Sequence, residues 1–197
     1  MIIAVAAWDT ALFQFCNQTL RFQALDVLMP LASQAWPLWA LAALGALWAA
    51  RRYGWKLALL SLLAIGLAAG AADLGANLAK SQTGRLRPLQ SLGATWFHED
   101  GQWRQRPLDF APQTGRGASF FSAHAATTMA VALTAAVAWP PLRPWVLALP
   151  LVVGYSRIYL GKHFPTDVLA GWLWGALVGL AIWAAWRRGI LRWRVQS

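Results

Sequence analysis

Two long stretches of this sequence contain no charged residue, and they constrain the fold more than any other feature. Leu31–Ala50 is twenty residues long and Val168–Trp186 is nineteen. An α-helix rises about 1.5 Å per residue, so about 20 apolar residues cross the hydrocarbon core of a bilayer. Hydrophobic residues make up 58% of the chain and charged residues only 12%, which is unusual for a soluble fold. Both stretches are therefore predicted to span a membrane.

Three further apolar segments are each interrupted by a single ionisable residue. They are Leu57–Ala79 with Asp73, Ala123–Trp139 with His124, and Trp145–Leu160 with Arg157. Each approaches the length of a membrane span. Together with the two uncharged stretches, they predict five transmembrane helices.

The amino-terminal segment differs from these spans because it mixes apolar and polar residues. Asp9–Arg21 therefore fits a helix that lies in the membrane interface, and its start does not resemble a cleavable signal peptide. If this segment crosses the membrane as well, the number of spans is six. The predicted fold class is all-α, a polytopic membrane helix bundle with an N-terminal interfacial helix, forming one domain over residues 1–197.

The net charge of +10 permits two interpretations, and the positions of the charges decide between them. Basic patches bind nucleic acids through the phosphate backbone. Here, however, eight basic residues without any acidic neighbour occupy two short connections and the carboxyl-terminal tail of the five-span topology. They are Arg51, Arg52, Lys56, Arg143, Arg187, Arg188, Arg192 and Arg194. Short basic connections stay in the cytoplasm, so the predicted partner is a bilayer, not nucleic acid, and the histidine-containing loops face outward.

Polar residues gather at the outward ends of the second to fifth helices, in three segments. In "KSQTGRLRP", Lys80 closes a helix and Arg87 precedes a proline, which disfavours helical dihedral angles at Arg87. In "SFFSAHAATT", Ser122 is a candidate N-cap and His124 falls in the first turn of the helix. The free N–H groups of such a helix end attract anions.

The third segment, "YSRIYLGKHFPTD", carries Arg157, His163 and Asp167. Asp167 falls in the first turn of the last helix, where it can accept a hydrogen bond from the imidazole of His163. Such a bond leaves the other ring nitrogen as a lone pair, suited to a nucleophile or a base. Arginine, lysine and backbone N–H groups from three helices would stabilise a phosphoryl group in transfer, and His124 could protonate the leaving oxygen.

In these three segments the chain resembles the type-2 phosphatidic acid phosphatase family of integral membrane lipid phosphatases. The first part of that signature is read here as Lys80, six residues, Arg87-Pro88. The third is read as Ser156-Arg157, five residues, His163, three residues, Asp167. The middle part, Pro-Ser-Gly-His in the family, departs here because Phe121 replaces the proline and Ala123 the glycine. Alanine keeps the backbone N–H but lacks the freedom of glycine at positive φ.

The resemblance implies a role for each matching residue. His163 is the nucleophile that forms a phosphohistidine, Asp167 is its partner, and His124 is first the acid and later the base for water. The phosphate-binding residues are Lys80, Arg87, Ser122, Ala123 and Arg157. The family needs no metal and no cofactor.

Other charged residues are interpreted as structural. Asp73 lies on one helical stripe with Lys80 and is expected to pair with it or with a neighbouring arginine, since an acid within a span is costly. Surface roles are assigned to Arg85, Arg104, Arg106, Arg116 and Lys162. Residues 81–119 form a long loop that is predicted to shape substrate entry on the outer side of the membrane.

The expected function is that of a bacterial inner-membrane phosphatase that removes the terminal phosphate of a lipid. Candidate substrates are undecaprenyl diphosphate, which is slightly favoured, phosphatidylglycerol phosphate and phosphatidic acid. A phosphotransferase with the same phosphohistidine and a lipid or sugar acceptor is the nearest alternative. A catalytically silent lipid-binding protein is a further alternative. Soluble haloperoxidases share a similar phosphate signature, but the predicted spans argue against that class.

Overall fold

The computed structural model describes the backbone of residues 5–196 and the side chains of residues 5–186. The arginines predicted in the carboxyl-terminal tail therefore have side chains outside the described residues. The regular elements follow one another as α1 (Ala7–Gln14), α2 (Gln23–Ala32), α3 (Ala35–Tyr53), α4 (Trp55–Thr83), α5 (Pro88–Ser91), β1 (Trp96–Glu99), β2 (Gln102–Gln105), α6 (Ala123–Ala138), α7 (Arg143–Tyr159) and α8 (Pro165–Gln196).

Within the described residues, two helical segments are long and apolar enough to cross a membrane. They are Trp55–Ser91 and Pro165–Trp186. Helices α2 and α3 pass the same test only together and are bent by 66°, so a third span exists if this pair crosses as one. Helix α6 is apolar but has only 16 residues, a length of about 24 Å. The number of five spans, or six, stays a prediction.

The prediction of a single helix over Leu31–Ala50 is wrong, because the chain breaks between α2 and α3. Gln34 has an extended backbone (φ −78°, ψ 153°) and precedes the first residue of α3. Pro37 then occupies the first turn of α3, where a missing N–H costs nothing because first-turn N–H groups have no intrahelical acceptor. The prediction of one helix considered only the hydrophobicity of this stretch and missed this signal for a helix start.

Helix α6 lies at the centre of the bundle and packs against α4, α7 and α8. Small residues make the close approach possible: Ala68, Ala72 and Ala76 of α4 form a buried cluster with alanines of α6. On α8, a Cβ atom added at Gly175 would meet the backbone oxygen of Ala126. Small residues at regular helical spacing let membrane helices pack at short distance.

The amino-terminal segment packs into the protein. Its prediction as an interfacial helix implied that its polar residues face water. In the structure, Asp9, Phe13 and Asn17 are all buried, and Asn17 donates hydrogen bonds to the backbone oxygens of Trp96 and Tyr159 at 2.9 and 2.8 Å. Asp9 and Phe13 lie one turn apart on α1, and Asn17 lies in the π-helical turn Phe15–Thr19 that follows it. All three face the rest of the chain.

The segment from residue 81 to 119 contains regular structure, including a short antiparallel hairpin in which Trp96 pairs with Gln105. This hairpin is a small addition to the predicted all-α class. Leu89 N–H donates to the oxygen of Gly161 at 3.1 Å. Gly161 has φ +70°, and a Cβ there would meet the oxygen of Trp96. The loop is thus held against the connection between α7 and α8.

Candidate active site

Backbone hydrogen bonds bring the three polar segments together at one end of the bundle. The N–H of Ser119 donates to the oxygen of Arg85 at 2.9 Å, which joins the first segment to the second. The N–H of Ser122 donates to the oxygen of Asp167, also at 2.9 Å, which joins the second to the third. Residues far apart in the sequence therefore surround one site.

His163 and Asp167 face each other at this site. His163 lies in the connection between α7 and α8 with a side chain only 2% exposed, and its Nδ1 is 3.7 Å from Oδ2 of Asp167. This distance exceeds that of a hydrogen bond, so the predicted bond is corrected to an electrostatic contact. The reason is that Oδ2 already accepts from the hydroxyl of Ser119 at 2.5 Å and from the N–H of Phe164 at 2.9 Å.

Burial sets the protonation state of His163. It lowers the pKa of the imidazole to about 4, because a charged ring is poorly solvated there. The carboxylate of Asp167 acts in the opposite direction, while the guanidinium of Arg157 lowers this pKa further. At neutral pH the ring is uncharged. With Nδ1 directed at Asp167, Nε2 on the far side of the ring is the nitrogen that can offer a lone pair.

The start of α6 supplies backbone donors. Ser122 is buried at the N-cap, and its hydroxyl accepts from the N–H of Ala125 at 3.4 Å, as the sequence predicted. The N–H groups of Ala123 and His124 are in the first turn and have no intrahelical acceptor. His124 has an exposed side chain in that turn. This helix end can bind an anion next to an imidazole.

Three cations surround the same site from three helix ends. Lys80 is in the last turn of α4, Arg87 precedes α5, and Arg157 is in the last turn of α7. All three interact electrostatically with His124. Among described residues, the side chains of Lys80 and Arg87 form no hydrogen bond or ion pair. Arg157 donates to the hydroxyl of Ser33, but its buried Nε has no partner. Cations without internal partners are available to bind an anion.

Lys162 was predicted to be a surface charge, and this prediction is wrong. Its side chain is 17% exposed, and its Nζ lies 3.6 Å from Oε1 of Glu99. Burial lowers its pKa, the Glu99 carboxylate raises it, and the nearby charges of Arg157 and Arg87 lower it. Because Lys162 immediately precedes His163, it lies at the edge of the site.

Arg85 was also predicted to be a surface charge, yet it is 2% exposed. Its guanidinium donates to Oδ1 of Asp167 at 2.5 Å and to Oδ2 of Asp9 at 2.6 Å. Gly84 ends α4 in the left-handed region (φ 59°), which turns the chain and places Arg85 against the bundle. The sequence held one signal that was missed: Asp9 is an acid in an apolar segment with no basic neighbour, so it needs a distant partner.

A groove of about 340 Å³ opens beside His124 and runs between α3, α4, α6 and α7. Its walls are mostly apolar, with Leu38, Leu62 and Trp139 among the lining residues, and Asp73 is its one charged wall residue among those described. Asp73 accepts a hydrogen bond from the amide of Asn77 at 2.9 Å. The predicted pairing with Lys80 is an electrostatic attraction without an ion-pair contact among the described residues. The side chains of Asp73 and Asn77 are one helical turn apart and meet more easily.

The sequence model of the PAP2 superfamily matches residues 57–190, a range that includes every predicted site residue. A lipid A 1-phosphatase from Rhizobium johnstonii is 36% identical over 107 residues, which cover 53% of this chain and 39% of the relative. An undecaprenyl-diphosphatase from Sulfolobus acidocaldarius is 31% identical over 104 residues, covering 52% and 44%. The matched segments cover less than half of each relative.

The fold also matches a solved structure. The crystal structure of Aquifex aeolicus LpxE superposes with a TM-score of 0.71 at 21% sequence identity, covering 93% of this chain and 99% of that one. At this identity the match establishes the arrangement of the helices.

Proposed function

The chain belongs to the PAP2 superfamily, and from that premise we propose that it is an integral membrane phosphatase acting on the terminal phosphate of a lipid phosphate or diphosphate. One observation carries the proposal. A neutral, buried His163 lies near Arg157 and Arg87, which form no ion pair with described residues, and beside the free N–H groups of α6. A nucleophile next to an anion-binding cradle is what phosphoryl transfer requires.

The first half of the reaction follows from this arrangement. Nε2 of His163 attacks phosphorus, a nitrogen–phosphorus bond forms, and the bond from phosphorus to the lipid oxygen breaks. His124, which carries a second ring proton when the anionic phosphate is bound beside it, gives that proton to the departing oxygen. This oxygen leaves as an alcohol or, from a diphosphate, as a lipid monophosphate. The carboxylate of Asp167 stabilises the positive charge that develops on the ring of His163.

In the second half, water attacks the phosphohistidine. His124 now takes a proton from that water, the nitrogen–phosphorus bond breaks, and inorganic phosphate leaves. Throughout, the negative charge on the equatorial oxygens is stabilised by cations from three helices and by the N–H groups at the start of α6. The cation set is Lys80, Arg87 and Arg157, and the backbone donors are those of Ala123 and His124, with Ser122 as the cap that shapes them.

The groove beside His124 supports a lipid substrate. Its apolar walls can hold a hydrocarbon chain while the phosphate lies among the cations. Undecaprenyl diphosphate, phosphatidylglycerol phosphate and phosphatidic acid all have this form. We place the reaction in a bacterial inner membrane with the site on the outer face, because the connections rich in arginine and lacking acids belong in the cytoplasm.

Phosphate release by the purified protein in detergent tests this function. The three candidate lipids are supplied side by side in the presence of EDTA, and His163→Ala is compared with His98→Ala. His98 is the matched control because it packs edge-on against Trp103 in the hairpin and is not among the groups that act electrostatically on His163 or His124. Release that persists in EDTA, is abolished by His163→Ala and survives His98→Ala supports the proposal.

Three other outcomes contradict it. Release that is unchanged by His163→Ala excludes the phosphohistidine. Phosphate that appears on an added acceptor lipid instead of in solution identifies a phosphotransferase. The absence of any reaction with all three lipids, with intact binding of lipid, favours a silent lipid-binding protein.

A further inference from the structure

A network of buried charges connects α1 to the active site. Asp9 on α1 is fully buried, and its Oδ2 is 2.6 Å from the guanidinium of Arg85. The same guanidinium reaches Oδ1 of Asp167 at 2.5 Å. Asp9 also accepts from the backbone N–H of Thr166 at 3.0 Å and from its hydroxyl. One arginine thus bridges two buried carboxylates, and the first of them also binds the turn that carries the second.

The carboxylate of Asp167 has a fixed orientation as a result. Its Oδ1 accepts a hydrogen bond from the guanidinium of Arg85, and its Oδ2 accepts from the hydroxyl of Ser119 and from the N–H of Phe164. Oδ2 is the oxygen that faces Nδ1 of His163. Rotation of this carboxylate, which is fully buried, would break at least one of these bonds, and an unmade bond to a buried charge is costly.

The position of Asp9 in the sequence points to a role that the family signature does not describe. Asp9 lies outside residues 57–190, the part of the chain that matches the superfamily, and outside the three segments that carry the predicted chemistry. A buried pair of an acid and an arginine adds little to the free energy of folding, since apolar residues of similar volume often stabilise the fold equally or more. A role in orienting Asp167 accounts for both charges.

We propose that Asp9 and Arg85 are positioning residues of the phosphohistidine reaction, holding the Asp167 carboxylate so that Oδ2 faces Nδ1 of His163. This proposal rests on the proposed function. Neither residue touches the substrate. Their effect on the reaction passes through Asp167, and the amino-terminal helix thereby completes the active site.

Double-mutant cycles test whether the effect passes through Asp167. Asp9→Asn keeps the shape of the side chain, and we expect it to lower kcat by about tenfold or more with KM within about twofold. In an Asp167→Asn background, the same substitution has little further effect because the group that it positions is already altered. If the fold-loss of kcat in the double variant is the product of the losses in Asp9→Asn and Asp167→Asn, Asp9 acts independently of Asp167 and the proposal is overturned.

Arg85 provides a second arm of the test. Arg85→Lys keeps one charge near both carboxylates and should retain more activity than Arg85→Gln, again only while Asp167 is present. The fraction of folded protein is measured by size-exclusion chromatography and thermal unfolding, and kcat is expressed per folded molecule. Arg106→Gln is the control, since Arg106 donates to the oxygen of Leu89 and packs on Phe97. Arg106→Gln should change kcat by the same factor in the wild-type protein and in the Asp167→Asn variant.

Orthovanadate binding separates failure of this inference from failure of the proposed function. Vanadate accepts a bond from an oriented imidazole nitrogen and needs no lipid turnover, so the Asp9 and Asp167 cycle can be repeated on its Kd. Coupled losses of affinity support the positioning role even if none of the three lipids is hydrolysed. If the losses of vanadate affinity in Asp9→Asn and Asp167→Asn are independent of each other, or if Asp9→Asn leaves this affinity unchanged, the positioning role is rejected even if the lipids are hydrolysed.

Discussion

At the scale of single residues, basic side chains of similar appearance in the sequence have three different environments. Lys80 and Arg87 have no internal partner among described residues, Arg85 joins two buried carboxylates, and Lys162 contacts Glu99 at the edge of the site. The first environment suits an anion, and the second suits a structural or positioning role. The partners, more than the residue types, decide which role a cation has.

The protonation of His163 predicts how stability changes with pH. Its pKa is lowered from 6.5 to about 4 in the folded protein, so below pH 6.5 the unfolded chain takes up a proton before the folded protein does. Stability contributed by the neutral ring is therefore present above pH 6.5 and is lost as the pH falls toward 4. Thermal unfolding in detergent should show a larger loss between these values for the wild-type protein than for His163→Gln. Equal losses of thermal stability in the wild-type protein and in His163→Gln would contradict a buried, neutral ring of His163.

Lys162 is expected to assist phosphate binding from the edge of the site. Lys162→Ala should raise KM by about threefold and change kcat little, because a half-buried charge near Arg157 and Arg87 attracts the anion without contacting the reacting atoms. Steady-state kinetics with one lipid phosphate measures both constants. Arg104→Ala is the control, since Arg104 is exposed on β2. An equal rise of KM in the two variants would place Lys162 among nonspecific surface charges.

At the scale of elements, the packing of α6 against α8 depends on glycine. A Cβ at Gly175 would meet the backbone oxygen of Ala126 and the side chain of Met129. Since both helix backbones are fixed by their neighbours, the clash forces the helices apart. The same two helices are also joined by the hydrogen bond from the N–H of Ser122 to the oxygen of Asp167.

Gly175→Ala should therefore lower the free energy of unfolding by more than about 2 kcal/mol. Gly70→Ala is the matched control, because a Cβ at Gly70 meets nothing within 4 Å and alanine is the better helix former by up to about 1 kcal/mol. Thermal or denaturant unfolding in the same detergent compares the two. If Gly175→Ala is as stable as Gly70→Ala, the two helices are not in close contact at this position.

At the scale of the whole molecule, the groove connects the phosphate site to the apolar interior of the bundle. His124 lines its polar end, while Ala69 and Val131 lie along its walls. Lining residues come from four helices, so the groove exists only when the bundle is assembled. Its apolar walls are suited to the hydrocarbon part of the proposed lipid substrate.

Filling the groove should distinguish long lipids from short ones. Ala69→Phe is expected to raise KM about tenfold or more for a long-chain lipid phosphate, because the ring occupies space that the chain needs. A short-chain analogue with the same phosphate should keep its KM, and it serves as the internal control. Phosphate release is measured for both. A similar rise for the two substrates would mean that the chain binds outside the groove.

Much of this molecule follows from local sequence. The apolar stretches predict membrane helices because only a satisfied backbone is tolerated in lipid, and two such helices occur among the described residues. Ser122 predicts the start of α6 because its hydroxyl satisfies a free N–H group there. The spacing of the three polar segments predicted the family, which the match over residues 57–190 confirms. The assigned catalytic roles stay predictions.

Other features depend on contacts between distant parts of the chain. Asp9 meets Arg85, 76 positions away, and Ser119 donates to Oδ2 of Asp167, the residue that the sequence had paired with His163. The burial of Lys162 beside Glu99 likewise arises from packing. Sequence by itself determined which residues could perform the chemistry, because helix periodicity, caps and motif spacing are local. Only the tertiary structure decided their partners and burial, because hydrogen-bond competition and desolvation depend on groups that the fold brings together.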